Sequence, residues 1–257
     1  MKKKKIAIIT GASGGFGHEF VKLLLKENIQ EIWTIDIDKK GLLLLRDTYG
    51  DTIKPITMDL TNRENINKLD NLLCKKNVTI KYLINNAGYA KFCSYDDISI
   101  QQSLNMIDLN ISAVVWLGLV CIPYMPKKSY ILNIASQASF FPLPYQNIYA
   151  STKTFVRFYT RALNLELKDK KIHAIAICPG WMRTGLFKRG IIGAKKGAYK
   201  YVGIVDPDVV AKKALSDAKK RKVVSTYGIY VKATHVVSKV VPQDVIMKLW
   251  LRQQNIK

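Results

Sequence analysis

The sequence predicts an α/β protein built on a doubly wound parallel sheet of about seven strands with helices on both faces. Three observations predict it. Short β-branched runs alternate with helical patterns of roughly 10 to 25 residues, the spacing of right-handed βαβ crossovers. A glycine cluster closes the first of those runs and opens the first helical pattern. The chain's 257 residues, 48% hydrophobic and 23% charged, suit one domain able to bury a large core without staples.

Each element can be justified in turn. Residues 5–10 read as a strand and 16–27 as a helix entered through glycines. Residues 31–36 form a second strand, and 39–49 a leucine-rich helix. A third strand over 52–58 precedes a helix over 63–75. The fourth strand, 81–85, leads to a long helix over 99–124. Its apolar stretch, 111–125, falls short of the roughly 20 residues a membrane span needs, so it reads as a buried helix. Residues 130–135, 149–168 and 171–178 give the fifth strand, a helix and the sixth strand. Asp206, Pro207 and Asp208 open a helix to about 220, with proline in its first turn. Residues 223–225 read as a last strand. Residues 181–205, rich in Gly and Lys, read as a mobile loop. No repeat or Ser/Gly linker interrupts the pattern, so 1–257 is expected to be one domain. Within it, 1–180 is the core, 181–226 a loop and cap, and 227–257 a basic amphipathic tail.

The net charge of +22 is the one unusual bulk value. Residues 181–257 hold 17 Lys and Arg against four Asp and Glu, a field that attracts polyanions. Lysine outnumbers arginine 33 to 8, with Ile and Asn abundant, as AT-rich coding produces. Nucleic acid is therefore not favoured as a partner. The tail fits an anionic membrane surface, the chain's own core or a second copy, and spacing leaves all three open. Cys74, Cys93, Cys121 and Cys178 show neither metal spacing nor CxxC and read as reduced thiols. His18, His173 and His235 lack partners at triad or metal spacing, so no metal is expected. The apolar run after the opening lysines is too short for a secretory segment. The expected location is cytoplasmic, with a peripheral membrane position left open by the tail.

Two groups of residues carry chemistry. Gly11, Ser13, Gly14, Gly15, Phe16 and Gly17 lie between a strand and a helix. Glycines there let backbone approach a pyrophosphate, and the helix N-terminus offers free N–H groups. Asp36 ends the next strand, where a carboxylate accepts from ribose hydroxyls and repels a 2′-phosphate. No Lys or Arg lies in the glycine loop. These signs favour NAD(H), while Lys39 and Lys40 keep NADP(H) open. The second group is Ser136, Tyr149 and Lys153. A phenol and an ammonium at i and i+4 share one helix face. Tyrosine titrates near 10, and a neighbouring cation moves it toward the operating pH of general acid–base work. Ser136 at a strand end can hold a substrate oxygen as charge develops on it. Tyr145 has no lysine four residues on, which leaves Tyr149 as the acid. The Ser136 context lacks the G-x-S-x-G elbow of serine hydrolases.

The glycine spacing (Gly11, Gly15, Gly17), the run Asn85, Asn86, Ala87, Gly88 and the pair Tyr149 and Lys153 together resemble the classical short-chain dehydrogenases/reductases. The resemblance spans residues 5 to about 184 and implies a Rossmann-type fold and NAD(P)-linked interconversion of an alcohol and a carbonyl. It implies further roles. Asn110 joins Ser136, Tyr149 and Lys153 as a catalytic tetrad and orders a water that links Lys153 to solvent. Asp59 and Leu60 contact adenine, and Ile37 follows the ribose acid. Asn86, Ala87 and Gly88 line the cofactor, as do Tyr149 and Lys153. Pro179, Gly180, Met182 and Thr184 lie beside the nicotinamide carboxamide. Helices over 99–124 and 149–168 would pair copies into dimers or tetramers.

Substrate specificity should come from segments beyond the carboxyl ends of strands four and five and from the 181–205 loop. Phe140, Phe141, Pro142, Leu143 and Pro144 offer one apolar wall. Trp181, Met182, Leu186, Phe187, Ile191 and Ile192 offer another. An apolar alcohol or ketone is the expected small-molecule substrate. The competing expectation is a lipid- or nucleic-acid-surface binding protein with a vestigial site.

Overall fold

A computed structural model describes residues 3–195, 197 and 200–256, with the backbone alone at 187 and 188. Its strands are β1 (Lys4–Thr10), β2 (Glu31–Asp36), β3 (Ile53–Thr57), β4 (Val78–Asn85), β5 (Tyr130–Ile134), β6 (His173–Ile177) and β7 (Val224–Ser225). All neighbours pair in parallel, in the order β3-β2-β1-β4-β5-β6-β7. This is the predicted doubly wound sheet, and its order reverses between β1 and β4. A crevice opens at such a switch point, beyond the carboxyl ends of the strands.

Helices cover both faces. They are α1 (Gly15–Leu24), α2 (Lys39–Tyr49), α3 (Arg63–Lys75), α4 (Ile100–Ile107), α5 (Ala113–Cys121), α6 (Asn147–Glu166), α7 (Leu186–Gly190), α8 (Pro207–Lys219), α9 (Ile229–Val237) and α10 (Gln243–Gln254). Successive strand residues point to opposite faces. Ile9, Ile84 and Ile177 therefore pack under Phe20 and Val21 of α1 and Val210 and Ala214 of α8. Ile8, Leu83 and Ile131 pack under Leu69 of α3, Leu117 of α5 and Leu163 of α6. Each such side chain, removed from water completely, contributes about 1.5–3 kcal/mol. Burial on two faces explains why the strands read as continuous apolar runs.

The structure departs from the sequence expectations in three places that matter for the site. The long helix over 99–124 is interrupted by a π-helical turn at Asp108–Ser112. Its burial is also one-sided. Ala113, Leu117 and Cys121 face the core, whereas Leu104, Ile107 and Leu119 are exposed. Among the described residues, Ile100–Tyr124 is the one helical stretch long and apolar enough to cross a membrane by length and composition.

The 181–205 loop carries α7 and a bridge between Met182 and Val205. Phe92 N–H donates to Gly190 O at 2.9 Å and Lys91 Nζ to Ile192 O at 2.7 Å, tying this loop to the segment after β4. The tail is two helices laid back on the protein. Val231 of α9 packs with Phe140, whose ring stacks on His235 at 4.5 Å. Trp250 of α10 donates through Nε1 to Pro144 O at 3.0 Å. The tail's inward side thus covers the chain's own core.

Candidate active site

The glycine loop is shaped by two close approaches. Gly11 has φ +63°, and a Cβ there would lie 2.9 Å from Ala87 Cα. A Cβ on Gly17 would lie 2.2 Å from Gly11 O, so the loop can fold onto α1 only without a side chain there. Asn86 locks the arrangement. Its Nδ2 donates to Thr10 O and Gly11 O, both at 3.0 Å. Thr10 Oγ1 accepts from Asn86 N–H and Ala87 N–H at 3.0 Å. The run after β4 therefore buttresses the loop after β1. Gly14 precedes helix α1 as its N-cap, with no side-chain cap and no acid in the first turn. The helix's orphan N–H groups and positive end are left for an anion. These features fit the pyrophosphate of a dinucleotide.

Asp36 ends β2 beside this loop. Its Oδ2 accepts from Ser13 N–H at 3.1 Å and Ser13 Oγ at 2.6 Å, which fixes the carboxylate at the cavity edge. Exposed Asp59 accepts through Oδ1 from Thr61 N–H and Oγ1. A cavity of about 1120 Å³ runs from these acids to Tyr149 and on to the C-terminal helices. Its walls include every residue expected to line the cofactor except Gly17, which works from within the loop.

Ser136, Tyr149 and Lys153 converge where β5 ends. Ser136 continues from the strand, and its Oγ accepts from Ala138 N–H at 3.1 Å, which leaves the hydroxyl proton free to point elsewhere. Tyr149 and Lys153, one turn apart on α6, are both buried. Lys153 Nζ donates to Ile134 O at 2.8 Å and lies 5.8 Å from the centre of the Tyr149 ring. Burial pulls Lys153 down from 10.5 to about 8. Burial also pushes the Tyr149 phenol up, against a smaller lowering by its hydrogen bond with Ser136. The depression expected from Lys153 is not seen: the Tyr149 phenol is moved by burial and Ser136, and desolvation sets the direction. The protein's own groups keep Tyr149 a neutral acid.

Asn110 sits in the π turn, fully buried. Its Oδ1 accepts from Tyr89 N–H at 2.9 Å, while Nδ2 donates to Tyr89 O at 2.9 Å and Thr152 Oγ1 at 3.1 Å. Both ends of the amide are thus engaged in pinning the segment after Gly88 to α6. A Cβ on Gly88 would meet Asn110 Oδ1 and Lys153 Nζ at 3.4 Å each, so these atoms flank the glycine. Below them, Asn85 Nδ2 donates to Asn133 Oδ1 at 2.8 Å, and Asn133 Nδ2 to Thr160 Oγ1 at 2.9 Å. These buried polar bonds set the register of β4, β5 and α6 at the site.

The substrate end only partly follows expectation. Phe141, Leu143, Trp181, Met182 and Leu186 line the cavity. Phe140 packs under α9 instead, and Ile192 is exposed. The Phe187 side chain lies outside the described residues. Sequence reasoning missed Phe92, whose ring meets Tyr149 edge-on at 5.6 Å and Trp181 at 5.5 Å. It also missed Gln146, buried in the cavity wall with neither amide atom partnered among the described residues. Trp250 reaches the same wall from α10. Only proximity to Gly88 or Tyr149 could have flagged Phe92 and Gln146, and nothing local flagged Trp250. The described residues contain no cluster of metal-ligating side chains.

Comparison with known proteins bears on this geometry. Residues 5–191 match the short chain dehydrogenase family. The chain belongs to that family. An uncharacterised oxidoreductase of Staphylococcus epidermidis is 26% identical over 196 residues, covering 76% of this chain and 85% of the relative. One from Staphylococcus aureus is 27% identical over 184 residues, covering 71% and 80%. A Burkholderia phymatum short-chain dehydrogenase/reductase solved with NAD superposes with a TM-score of 0.81 at 20% identity, over 96% of both chains. A Sphingobium yanoikuyae short-chain dehydrogenase with NADPH gives 0.78 at 26% identity, over 94% of this chain and 95% of that one. This short-chain dehydrogenase is accordingly an oxidoreductase of CH–OH and C=O groups. Neighbours holding NAD and NADPH share its fold, so the fold does not choose between them.

Proposed function

We propose that the protein interconverts an apolar secondary alcohol and its ketone, with NAD(H) preferred and Tyr149 as the proton donor or acceptor. The observation that carries this reading is the meeting of Ser136, Tyr149 and Lys153 in one cavity with the glycine loop. A nicotinamide cofactor, held by Gly11, Gly15, Asp36, Gly88 and the 179–184 segment, would supply the hydride chemistry. Tyr149 gives its phenolic proton to the carbonyl oxygen in reduction and takes it back in oxidation. Ser136 Oγ donates to the same oxygen as charge builds. Lys153, as a cation, stabilises the phenolate left behind. Asn110 is a positioning residue, because both ends of its amide are bonded to Tyr89 and Thr152. A water route to Lys153 through Asn110 would therefore run past its main chain.

NAD(H) preference rests on Asp36, held by Ser13 where an adenosine ribose would lie. The apolar substrate rests on the Phe92, Phe141, Leu143, Trp181 and Trp250 lining, with Gln146 as a polar point within it. Pairing of copies through α4–α5 and α6 is supported by exposed Leu104, Leu119, Phe158 and Leu165 on those helices.

Steady-state assays with NADH or NADPH and a ketone panel test the reading. Tyr149→Phe should lower kcat by about 10²–10⁴-fold, the usual share of general acid–base catalysis. Calorimetric NAD(H) affinity should change by less than about twofold. A variant with normal turnover removes Tyr149 from the reaction. Asp36→Ala should move the NADP(H)/NAD(H) ratio of kcat/KM upward by about tenfold or more. An unchanged ratio overturns the NAD(H) assignment.

A further inference from the structure

The outer face of the C-terminal helical hairpin is the surface that neither the fold nor the catalytic reading uses. Helix α9 splits into sides. Tyr230, Ala233, Thr234 and Val237 line the cavity, while Val231 and His235 pack toward Phe140. That leaves Ile229, Lys232 and Val236 facing outward at i, i+3 and i+7, continued through the following turn by Lys239 and Val240. Helix α10 repeats the division. Ile246, Leu249, Trp250 and Gln253 line the cavity, whereas Val245, Lys248 and Arg252 lie on the other side at i, i+3 and i+7. The outward residues are exposed, Ile229 at 88% and Val240 at 76%. An ordinary solvated helix face is polar; this one alternates branched apolar residues with cations, and Asp244 is the only acid from 227 onward.

Position adds a second observation. Tyr230, Val237 and Leu249 line the cavity and are also exposed, so the apolar patch runs into the cavity's rim. A soluble polar substrate would gain nothing from an apolar, cationic rim. A substrate dissolved in an anionic bilayer would meet apolar surface all the way from the lipid to Tyr149. We propose that the α9–α10 face docks on an anionic membrane surface, and that the cavity takes its ketone or alcohol from the lipid. The partner is chosen by charge. Lysine and arginine among valine and isoleucine complement anionic headgroups over acyl chains, whereas the same cations repeated on a second copy would repel. The face used by copies of the chain would be the one on α4–α5 and α6, where Leu104, Leu119, Phe158 and Leu165 are exposed. The substrate part of this proposal rests on the oxidoreductase reading above; the docking part does not.

Vesicle co-sedimentation of the full-length protein tests it, using phosphatidylcholine vesicles with and without one-quarter phosphatidylglycerol. Binding to the anionic vesicles is expected to be at least about tenfold tighter and to weaken from 0.05 to about 0.3 M salt. Ile229→Asp with Val240→Asp should lower that binding about tenfold or more. Neither residue lines the cavity, so turnover of a water-soluble ketone should be unchanged. Lys232→Glu with Lys239→Glu should remove the preference for anionic vesicles. Absence of vesicle binding by the wild type overturns the proposal, as does binding that ignores both double variants. A fall in native mass in the Ile229→Asp and Val240→Asp variant would assign the face to a second copy and likewise overturn it. NAD(H) calorimetry on the same samples separates the two readings. Cofactor binding without vesicle binding defeats docking alone, and vesicle binding without cofactor binding defeats the oxidoreductase reading alone.

Discussion

The half that holds the glycine loop and Tyr149, and the tail helices α9 and α10 that cap the cavity, solve the same problem, holding a cavity open, by different means. In the first half, position is set by hydrogen bonds and by missing side chains. Asn86 holds the glycine loop, Asn110 holds Tyr89, and Gly17 permits a contact that no other residue allows. In the cap, position is set by apolar packing with a few anchors. Trp250 bonds to Pro144 O, Gln254 pairs with the Lys200 backbone, and otherwise Val231 and Ile246 supply burial. Directional bonds tolerate almost no substitution, whereas apolar packing tolerates many residues of similar size. The family match reflects this difference, covering 5–191 and stopping before α8, α9 and α10.

Three substitutions test whether the two regions are built separately. The largest effect is expected at Lys153, the buried cation of the polar half. Lys153→Met should cost about 10³-fold in kcat with modest loss of cofactor affinity. The same residue sets a pH signature. Burial holds Lys153 near 8 in the fold against 10.5 ordinarily, so reduction by the wild type should decline as pH rises through about 8. Between those values the unfolded chain binds more protons than the folded one, so this residue makes stability rise with pH across that window. As pH falls through about 8 that contribution is lost. Denaturant titrations from pH 7 to 10 should show the slope in the wild type and not in Lys153→Met. Persistence of the slope in the variant would assign it elsewhere.

The next effect is steric. Gly17→Ala places a methyl 2.2 Å from Gly11 O, a backbone atom that no flexible side chain can move aside. Overpacking of this kind costs about 1–3 kcal/mol, so NAD(H) affinity should fall by about tenfold or more with a lowered Tm. Unaltered affinity would mean that the loop is softer than its hydrogen bonds indicate. The smallest effect belongs to the cap. Trp250→Ala should raise the substrate KM by about three- to tenfold while leaving NAD(H) affinity alone, because its ring touches only the substrate end. A matching loss of cofactor affinity would show that the two halves are coupled rather than separately built.

Legibility in the sequence follows the same division. The parallel sheet was legible, and so was the meeting of the glycine loop, Asp36, Ser136, Tyr149 and Lys153 in one cavity, because each depends on residue type at a fixed spacing. The π turn could not be read. Asn110 was identifiable only through family likeness, since a mid-helix asparagine has no local signature for the extra residue it accommodates. Phe92 and Gln146 were illegible because the ring partners of Phe92 stand far away along the chain and no described residue partners the Gln146 amide. The tail was read correctly as amphipathic, and three destinations for its apolar side stayed open.

The sheet, the glycine loop beside it and the one-turn spacing that puts Tyr149 and Lys153 on one face of α6 follow from the chain alone, because backbone stereochemistry and covalent spacing are local. Tertiary structure alone decided which aromatic rings surround Tyr149 and where the tail's apolar side goes. It also decided that burial, not Lys153, governs the resting phenol. Those outcomes depend on desolvation and on contacts between distant segments, and neither is encoded in spacing along the chain.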